Sequence, residues 1–373
     1  MIKILSVFGT RPEAIKMAPL TLALKDDDSV DSRVCVTAQH REMLDQTLRI
    51  FDVKPDYDLD VMSKDQTLHD VSARIISRMR PVLIDYKPDI VLVHGDTLTT
   101  FCASTAAFFE RIKVGHVEAG LRSNDLMAPW PEEANRRVTS IFTNYHFAPT
   151  VSAEQNLLKE GVSKDAIFVT GNTVIDALHW MRDKIDKSPE YQEEFSRNFS
   201  FLDPAKRMIL ITGHRRENFG AGFENICAAI KSLAQSYPDV QWVYPVHLNP
   251  NVKGPVEEFL QGLPNVYLID PQDYAPFVYL MTQCYFVLTD SGGVQEEAPA
   301  LGKPVLVMRD TTERPEAVEA GTAKLVGMDA NEIVTQCKKL LDHDGSYRSM
   351  SQAINPYGDG KAIPRIVDIL KKS

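Results

Sequence analysis

Apolar residues along this chain fall in short runs, many of them β-branched, separated by longer stretches with helical spacing. The runs lie at residues 2–7, 33–37, 90–93, 114–117, 146–148 and 167–169, and each reads as a strand. Strands alternating with helices predict a parallel sheet covered on both faces. After a polar, poorly periodic stretch at 184–206 the pattern restarts, with runs at 208–212, 242–245, 266–269, 285–289 and 304–307. The reading is α/β, two Rossmann-like doubly wound domains in series. A length of 373 residues agrees, being more than one core usually supports. Neither half contains a short repeat or a low-complexity tract.

Composition narrows the function. With 41 basic and 51 acidic side chains the net charge is −10, which argues against nucleic acid as a partner. Any phosphate site must therefore be local. The five cysteines are scattered, without a C-x-x-C pair, so a reducing compartment is expected and a structural metal site is not. No segment reaches the length of a membrane span, and a cytoplasmic protein is expected.

In doubly wound sheets ligands sit beyond the carboxyl ends of the strands, and the unusual residues of this chain fall there. Asp290-Ser291-Gly292-Gly293 follows a strand and opens a helix, offering free amides and a helix dipole to an anion. An Asp or Ser before a helix is also an ordinary cap. Gly9-Thr10-Arg11-Pro12-Glu13 follows the first strand with capping-box spacing between Thr10 and Glu13, and carries Arg11 and Lys16. Pro19 should kink that helix, because it removes a bond to Ile15.

Asp96 and Glu118 each stand beside a glycine at a strand end, and Glu132 opens a helix. For Glu132 with Arg136, and Glu133 with Arg137, the spacing also fits plain i,i+4 ion pairs. In the second half His214 follows a strand with Arg215 and Arg216 beside it. Gln272 and Phe277 could bind and pack against a planar ring, and Arg314 could hold a carboxylate or a sugar hydroxyl. The run Gly220-Ala221-Gly222 lacks the third glycine of a dinucleotide fingerprint and does not directly follow a strand, so a redox cofactor is not supported. Together these residues suit a diphosphate ligand with a reacting sugar.

Long strings carry a resemblance from end to end: GTRPEAIKMAPL, VTAQHREMLDQ, PDIVLVHGDT, VGHVEAGLRS, PWPEEANRR, VTGNTVIDAL, TGHRREN, VYPVHLNPNV, LTDSGGVQEEAPALGKPVLVMRDTTERPEAV and NPYGDG. In them the chain resembles the non-hydrolysing UDP-N-acetylglucosamine 2-epimerases, close to the enterobacterial type. The resemblance implies the glycosyltransferase-like GT-B arrangement, two domains facing across a cleft. Domain one would be 1–170, domain two 171–356, with 357–373 crossing back onto the first. It implies interconversion of UDP-N-acetylglucosamine and UDP-N-acetylmannosamine without a cofactor, in a homodimer, commonly serving cell-envelope polysaccharides such as enterobacterial common antigen.

By the same resemblance Arg11, Lys16, Asp96, Glu118, His214, Gln272, Phe277, Ser291, Gly292, Gly293, Glu297 and Arg314 bind substrate. Asp96, Glu118, Glu132 and His214 do the chemistry. The family shows regulation by UDP-N-acetylglucosamine bound beside the active site, in some members through segments matching Gln39-His40-Arg41 and His247. Here Glu42 and Asp65 are acidic where some relatives carry neutral or basic residues. A GT-B glycosyltransferase, a hydrolysing epimerase and a non-catalytic nucleotide-sugar sensor remain alternatives on the residues alone.

Overall fold

Thirteen strands form two wholly parallel sheets in the computed structural model, which describes residues 1–38, 41–63 and 65–372. The first sheet holds β1 (Ile2–Phe8), β2 (Val30–Val36), β3 (Tyr57–Asp58), β4 (Ile90–His94), β5 (Lys113–Val117), β6 (Tyr145–Ala148) and β7 (Ile167–Val169), in the order 3-2-1-4-5-6-7. The second holds β8 (Arg207–Thr212), β9 (Val240–Pro245), β10 (Val266–Ile269), β11 (Phe286–Thr289), β12 (Val305–Val307) and β13 (Ala323–Leu325), in the order 10-9-8-11-12-13. In both, the chain starts in the middle, winds outward, and returns to wind the other way.

Burial on both faces explains the continuous apolar runs. Along β1, Ile4 and Phe8 enter one core while Leu5 and Val7 enter the other, the period of two that a strand imposes. All five residues of β4 are buried. Two strands escaped the sequence reading: β3 has two residues and β13 three, too few to show a period. The stretch 184–206 also differs from expectation, since it contains the helix Pro189–Asn198. Its apolar stripe is only Tyr191, Phe195 and Phe199, spaced i, i+4, i+8, with successive ring centroids 5.4 and 6.2 Å apart. The first helix, Arg11–Lys25, continues through Pro19.

The chain divides into two units, Met1–Ala177 with Tyr357–Ser373, and Leu178–Pro356. The first division thus falls after Ala177, later than the expected residue 170, and polar contacts explain the shift. Asn172 N–H donates to the Tyr357 carbonyl (2.7 Å), and the Asp176 carboxylate accepts from the amides of Ala362 and Ile363 at 3.1 and 3.0 Å. Asp176 therefore satisfies the open N-terminus of the helix Ala362–Leu370. The apolar face of that helix, Ile363, Ile366, Val367 and Leu370, shares a core with Met17, Leu20 and Leu24. Among the described residues no helix is long and apolar enough to cross a membrane.

Three histidines lie inside the first unit at the ends of neighbouring strands. His116 pairs in register with Val93 and His146, and its Nε2 contacts the Gly95 carbonyl at 2.7 Å. Burial pushes His94 and His146 down to about 4, and His116 to about 3. Unfolded histidines bind a proton near pH 6.5, so below that pH the unfolded chain holds more protons and stability falls. Between pH 6.5 and 4.5 each histidine should remove about 1 kcal/mol of stability per pH unit. Urea unfolding across that range reads the slope, and His116→Gln should flatten it; an unchanged slope would refute the assignment.

Candidate functional site

Each sheet reverses its winding at one place, between β1 and β4 in the first unit and between β8 and β11 in the second. Loops leaving the two strands there run to opposite faces, which opens a crevice lined by strand ends. Arg11 and Asp96 stand at the first of these reversals, and His214 with Ser291, Gly292 and Gly293 at the second.

In the first unit a buried carboxylate joins the two loops. Glu13 Oε2 accepts from Gly9 N (3.0 Å), Thr10 N (2.8 Å) and Thr10 Oγ1 (2.8 Å), while Oε1 accepts from Thr97 Oγ1 at 2.7 Å. Burial raises the Glu13 pKa despite these donors. The loop that carries Arg11 is thereby fixed to the loop that carries Asp96. Arg11 stands half-buried in the first turn of its helix, with no partner among the described residues.

Glu118 lies just past β5 with φ +61°, a left-handed conformation that costs a side-chain-bearing residue about 1–2 kcal/mol. Its carboxylate pairs with Lys16, accepts from Asn172 Nδ2 at 2.8 Å, and lies 3.8 Å from His94 Nε2. A pair this deep adds little net stability, whereas losing one partner costs about 3–5 kcal/mol, so it fixes a charge in place more than it strengthens the fold. Asp96 is held differently. Arg136 Nη2 donates to Asp96 Oδ2 at 2.5 Å, and Asn135 Nδ2 donates to the Asp96 carbonyl at 2.9 Å.

The expected ion pairs along the helix Glu132–Phe142 are thus only half present. Glu133 pairs with Arg137 at 3.2 Å, but Arg136 turns to Asp96 and to Glu133, leaving Glu132 without a partner among the described residues. Glu133, not Glu132, is the structural acid: it is fully buried and accepts from the amides of Ser123 and Asn124 at 3.0 and 3.2 Å. Burial opposes its ionisation, yet the Ser123 amide and the two arginines outweigh burial and lower its pKa.

In the second unit Asp290 plays the part of Glu13. It is fully buried and accepts from the backbone amides of His214 (2.9 Å) and Arg215 (2.8 Å), so it does not cap the following helix as its position suggested. Ser291 takes the cap position of the helix Gly292–Ala300 and makes no side-chain cap bond. The first amides of any helix have no intrahelical partner, so those of Gly292 and Gly293 are available to an anion.

Neither glycine is required by the fold itself: neither has positive φ, and an added Cβ would approach other atoms no closer than 3.7 and 3.9 Å. What the missing side chains leave is access to the backbone. His214, 45% exposed, stacks on His247 with centroids 5.6 Å apart. Burial lowers its pKa, Asp290 opposes this, and His247 and Arg215 add to it.

The remaining candidates are spread around these loops. Arg314 is held by the buried carboxylate of Glu296, and Glu297 is itself largely buried. Phe277 stands in the first turns of the helix Tyr274–Gln283. Gln272 donates to the Asp270 carbonyl (2.6 Å) and lines a pocket of about 740 Å³ with Lys253, Glu257 and Leu268. None of the phosphate-loop residues lines that pocket. Arg41 is engaged by Asp58 and Asp60 at 2.8 and 2.9 Å, whereas Gln39 and His40 lie outside the described residues.

Sequence reasoning gives no role to His94 or Asn172, reads Asp290 as a helix cap and matches Arg136 to a helical neighbour by spacing; nothing local signals the long-range partners of these residues.

A family model described as UDP-N-acetylglucosamine 2-epimerase matches residues 22–371. The chain is 61% identical over 369 residues to the UDP-N-acetylglucosamine 2-epimerase of Yersinia pestis, covering 99% of this chain and 98% of the relative. It is 58% identical to that of Escherichia coli (strain K12), over 100% of this chain and 99% of the relative. The structure is similar to the crystal structure of UDP-GlcNAc 2-epimerase from Neisseria meningitidis bound to UDP-GlcNAc, with a TM-score of 0.90, 53% identity and full coverage of both chains. By descent as well as by fold, this chain belongs to the UDP-N-acetylglucosamine 2-epimerase family.

Proposed function

We propose that this chain interconverts UDP-N-acetylglucosamine and UDP-N-acetylmannosamine by eliminating UDP and adding it back. Carrying the reading is one observation: the reversal of the first sheet holds two carboxylates in place, Asp96 by Arg136 and Glu118 by Lys16, while the reversal of the second presents amides for an anion. The bound UDP-GlcNAc of the Neisseria relative supports the choice of substrate.

Carbon 2 of the sugar is not beside a carbonyl, so a carboxylate alone cannot remove its proton. Departure of UDP changes that. As the C1–O bond breaks, its electron pair leaves with the β-phosphate, and the electron-poor C1 acidifies C2–H. A carboxylate takes the proton and the C–H pair becomes the C1=C2 bond of 2-acetamidoglucal. Delivering a proton to the opposite face of C2, while a UDP oxygen rejoins C1, gives the epimer.

Asp96, Glu118 and Glu132 are assigned to the proton transfers. Arg11, His214 and the Ser291 to Gly293 amides are assigned to the charge growing on the diphosphate. Gln272, Phe277, Glu297 and Arg314 are assigned to the rest of the nucleotide and sugar. No cofactor enters this chemistry.

The enzyme is further proposed to work in the cytoplasm as a homodimer. Five free, buried cysteines support a reducing compartment. Phe108, Phe109 and Ile141, all exposed on neighbouring helices of the first unit, support contact with a second copy. Sedimentation velocity should give twice the chain mass, and Phe109→Glu should shift it to the monomer; a wild-type monomer at micromolar concentration would overturn the dimer.

With UDP-N-acetylglucosamine in D2O, NMR should find deuterium at C2 of both UDP-linked sugars. Free N-acetylmannosamine instead would mark a hydrolysing enzyme, and no exchange at all would end the epimerase reading. Two substitutions should separate the half-sites. Asp96→Asn should lower kcat at least about 100-fold with UDP affinity within about threefold of wild type. Gly293→Ala should leave stability unchanged or slightly raised and weaken UDP at least about tenfold. Equal loss of UDP affinity in Asp96→Asn would make Asp96 structural.

A further inference from the structure

Asp290 carries more acceptor capacity than the loop around it uses. Its Oδ2 accepts three bonds, from His214 N (2.9 Å), Arg215 N (2.8 Å) and Asn218 Nδ2 (3.1 Å). These alone would hold the loop. Its Oδ1 is buried with no hydrogen-bond partner among the described residues and faces His214 Nδ1 at 3.6 Å. A buried carboxylate oxygen without a donor is costly, and anchoring the loop does not explain it.

We propose that Asp290 is a positioning residue for His214, holding Nδ1 as the protonated nitrogen so that Nε2 is presented to the diphosphate, and that the pair takes up a proton with that anion. The role of the anion rests on the reaction proposed above; the pairing of the two side chains does not. An imidazole between the Asp290 carboxylate and a diphosphate is favoured as a cation, and the contact at Nδ1 should then close to a hydrogen bond. That cation stands where charge grows as UDP leaves C1, and Asp290 meets the cost of holding it.

Three charged or titratable groups act on the ring: Asp290 past β11, His247 past β9, and Arg215 beside it. Arg215 is itself turned toward Glu313 at 3.5 Å. Without the anion, burial, His247 and Arg215 keep His214 neutral against the pull of Asp290. The proton should therefore arrive with the ligand.

Nitrogen-15 NMR of the full-length enzyme tests this, with the His214 signal assigned by its absence from His214→Asn. Near pH 7 the unliganded wild type should show the Nδ1–H tautomer, and saturating UDP should convert it to imidazolium. Asp290→Asn keeps one oxygen for the three loop donors and turns an N–H toward Nδ1, which forces the opposite tautomer. Its kcat should fall at least about 100-fold with KM within about threefold, and proton uptake on UDP binding should vanish.

An Nε2–H tautomer in the wild type, or no protonation with UDP, overturns the proposal, and so does an Asp290→Asn enzyme with unchanged kcat. If that variant does not fold, the wild-type spectra decide. Should the spectra come out as expected while the wild type incorporates no deuterium, the reaction is wrong and the pairing stands.

Discussion

Strand-order reversal is the constraint on which the rest of this molecule depends. Where a parallel sheet changes its direction of winding, two neighbouring strands send their loops to opposite faces, and the amides at those strand ends have no sheet partner. Both units fill that gap with a buried acid. Glu13 binds the amides of Gly9 and Thr10 and reaches Thr97, while Asp290 binds the amides of His214 and Arg215. One carboxylate in each unit thus fixes two loops that are distant in sequence.

Charge is used in the same economical way. The chain is acidic overall, yet three of the cations among these loops are engaged by acids: Lys16 by Glu118, Arg136 by Asp96 and Glu133, Arg314 by Glu296. Such pairs contribute little to stability because desolvation offsets their attraction. Their effect is on geometry, since each holds a carboxylate in one orientation. Phosphate recognition, by contrast, is assigned mainly to backbone amides, which need no net positive charge.

Much of the fold was legible because parallel strands buried on both faces must be apolar throughout, and ten or so residues of helical period must separate them. The runs at 90–93 and 114–117 became β4 and β5 nearly residue for residue. Elements with too few residues to show a period, β3 and β13, were not legible. Nor was the helix Pro189–Asn198, whose three aromatic residues carry its whole apolar stripe. At the site, residue type and place after a strand pointed to Asp96, Glu118, His214 and the Ser291 to Gly293 turn. The same local logic misassigned Arg136, since i,i+4 spacing describes a helix in isolation and the Asp96 carboxylate arrives from another strand.

Sequence by itself determined the class of fold, the family, and which strand ends carry acids, a histidine and glycines. These follow from periodicity and residue chemistry, both local properties. Only the tertiary structure decided which groups meet: Arg136 with Asp96, Asn172 with Glu118, Asp176 with the amides that begin the last helix, and Asp290 with the loop of His214. Partners separated by dozens of residues leave no periodic trace, because the chain brings them together through the order of its strands.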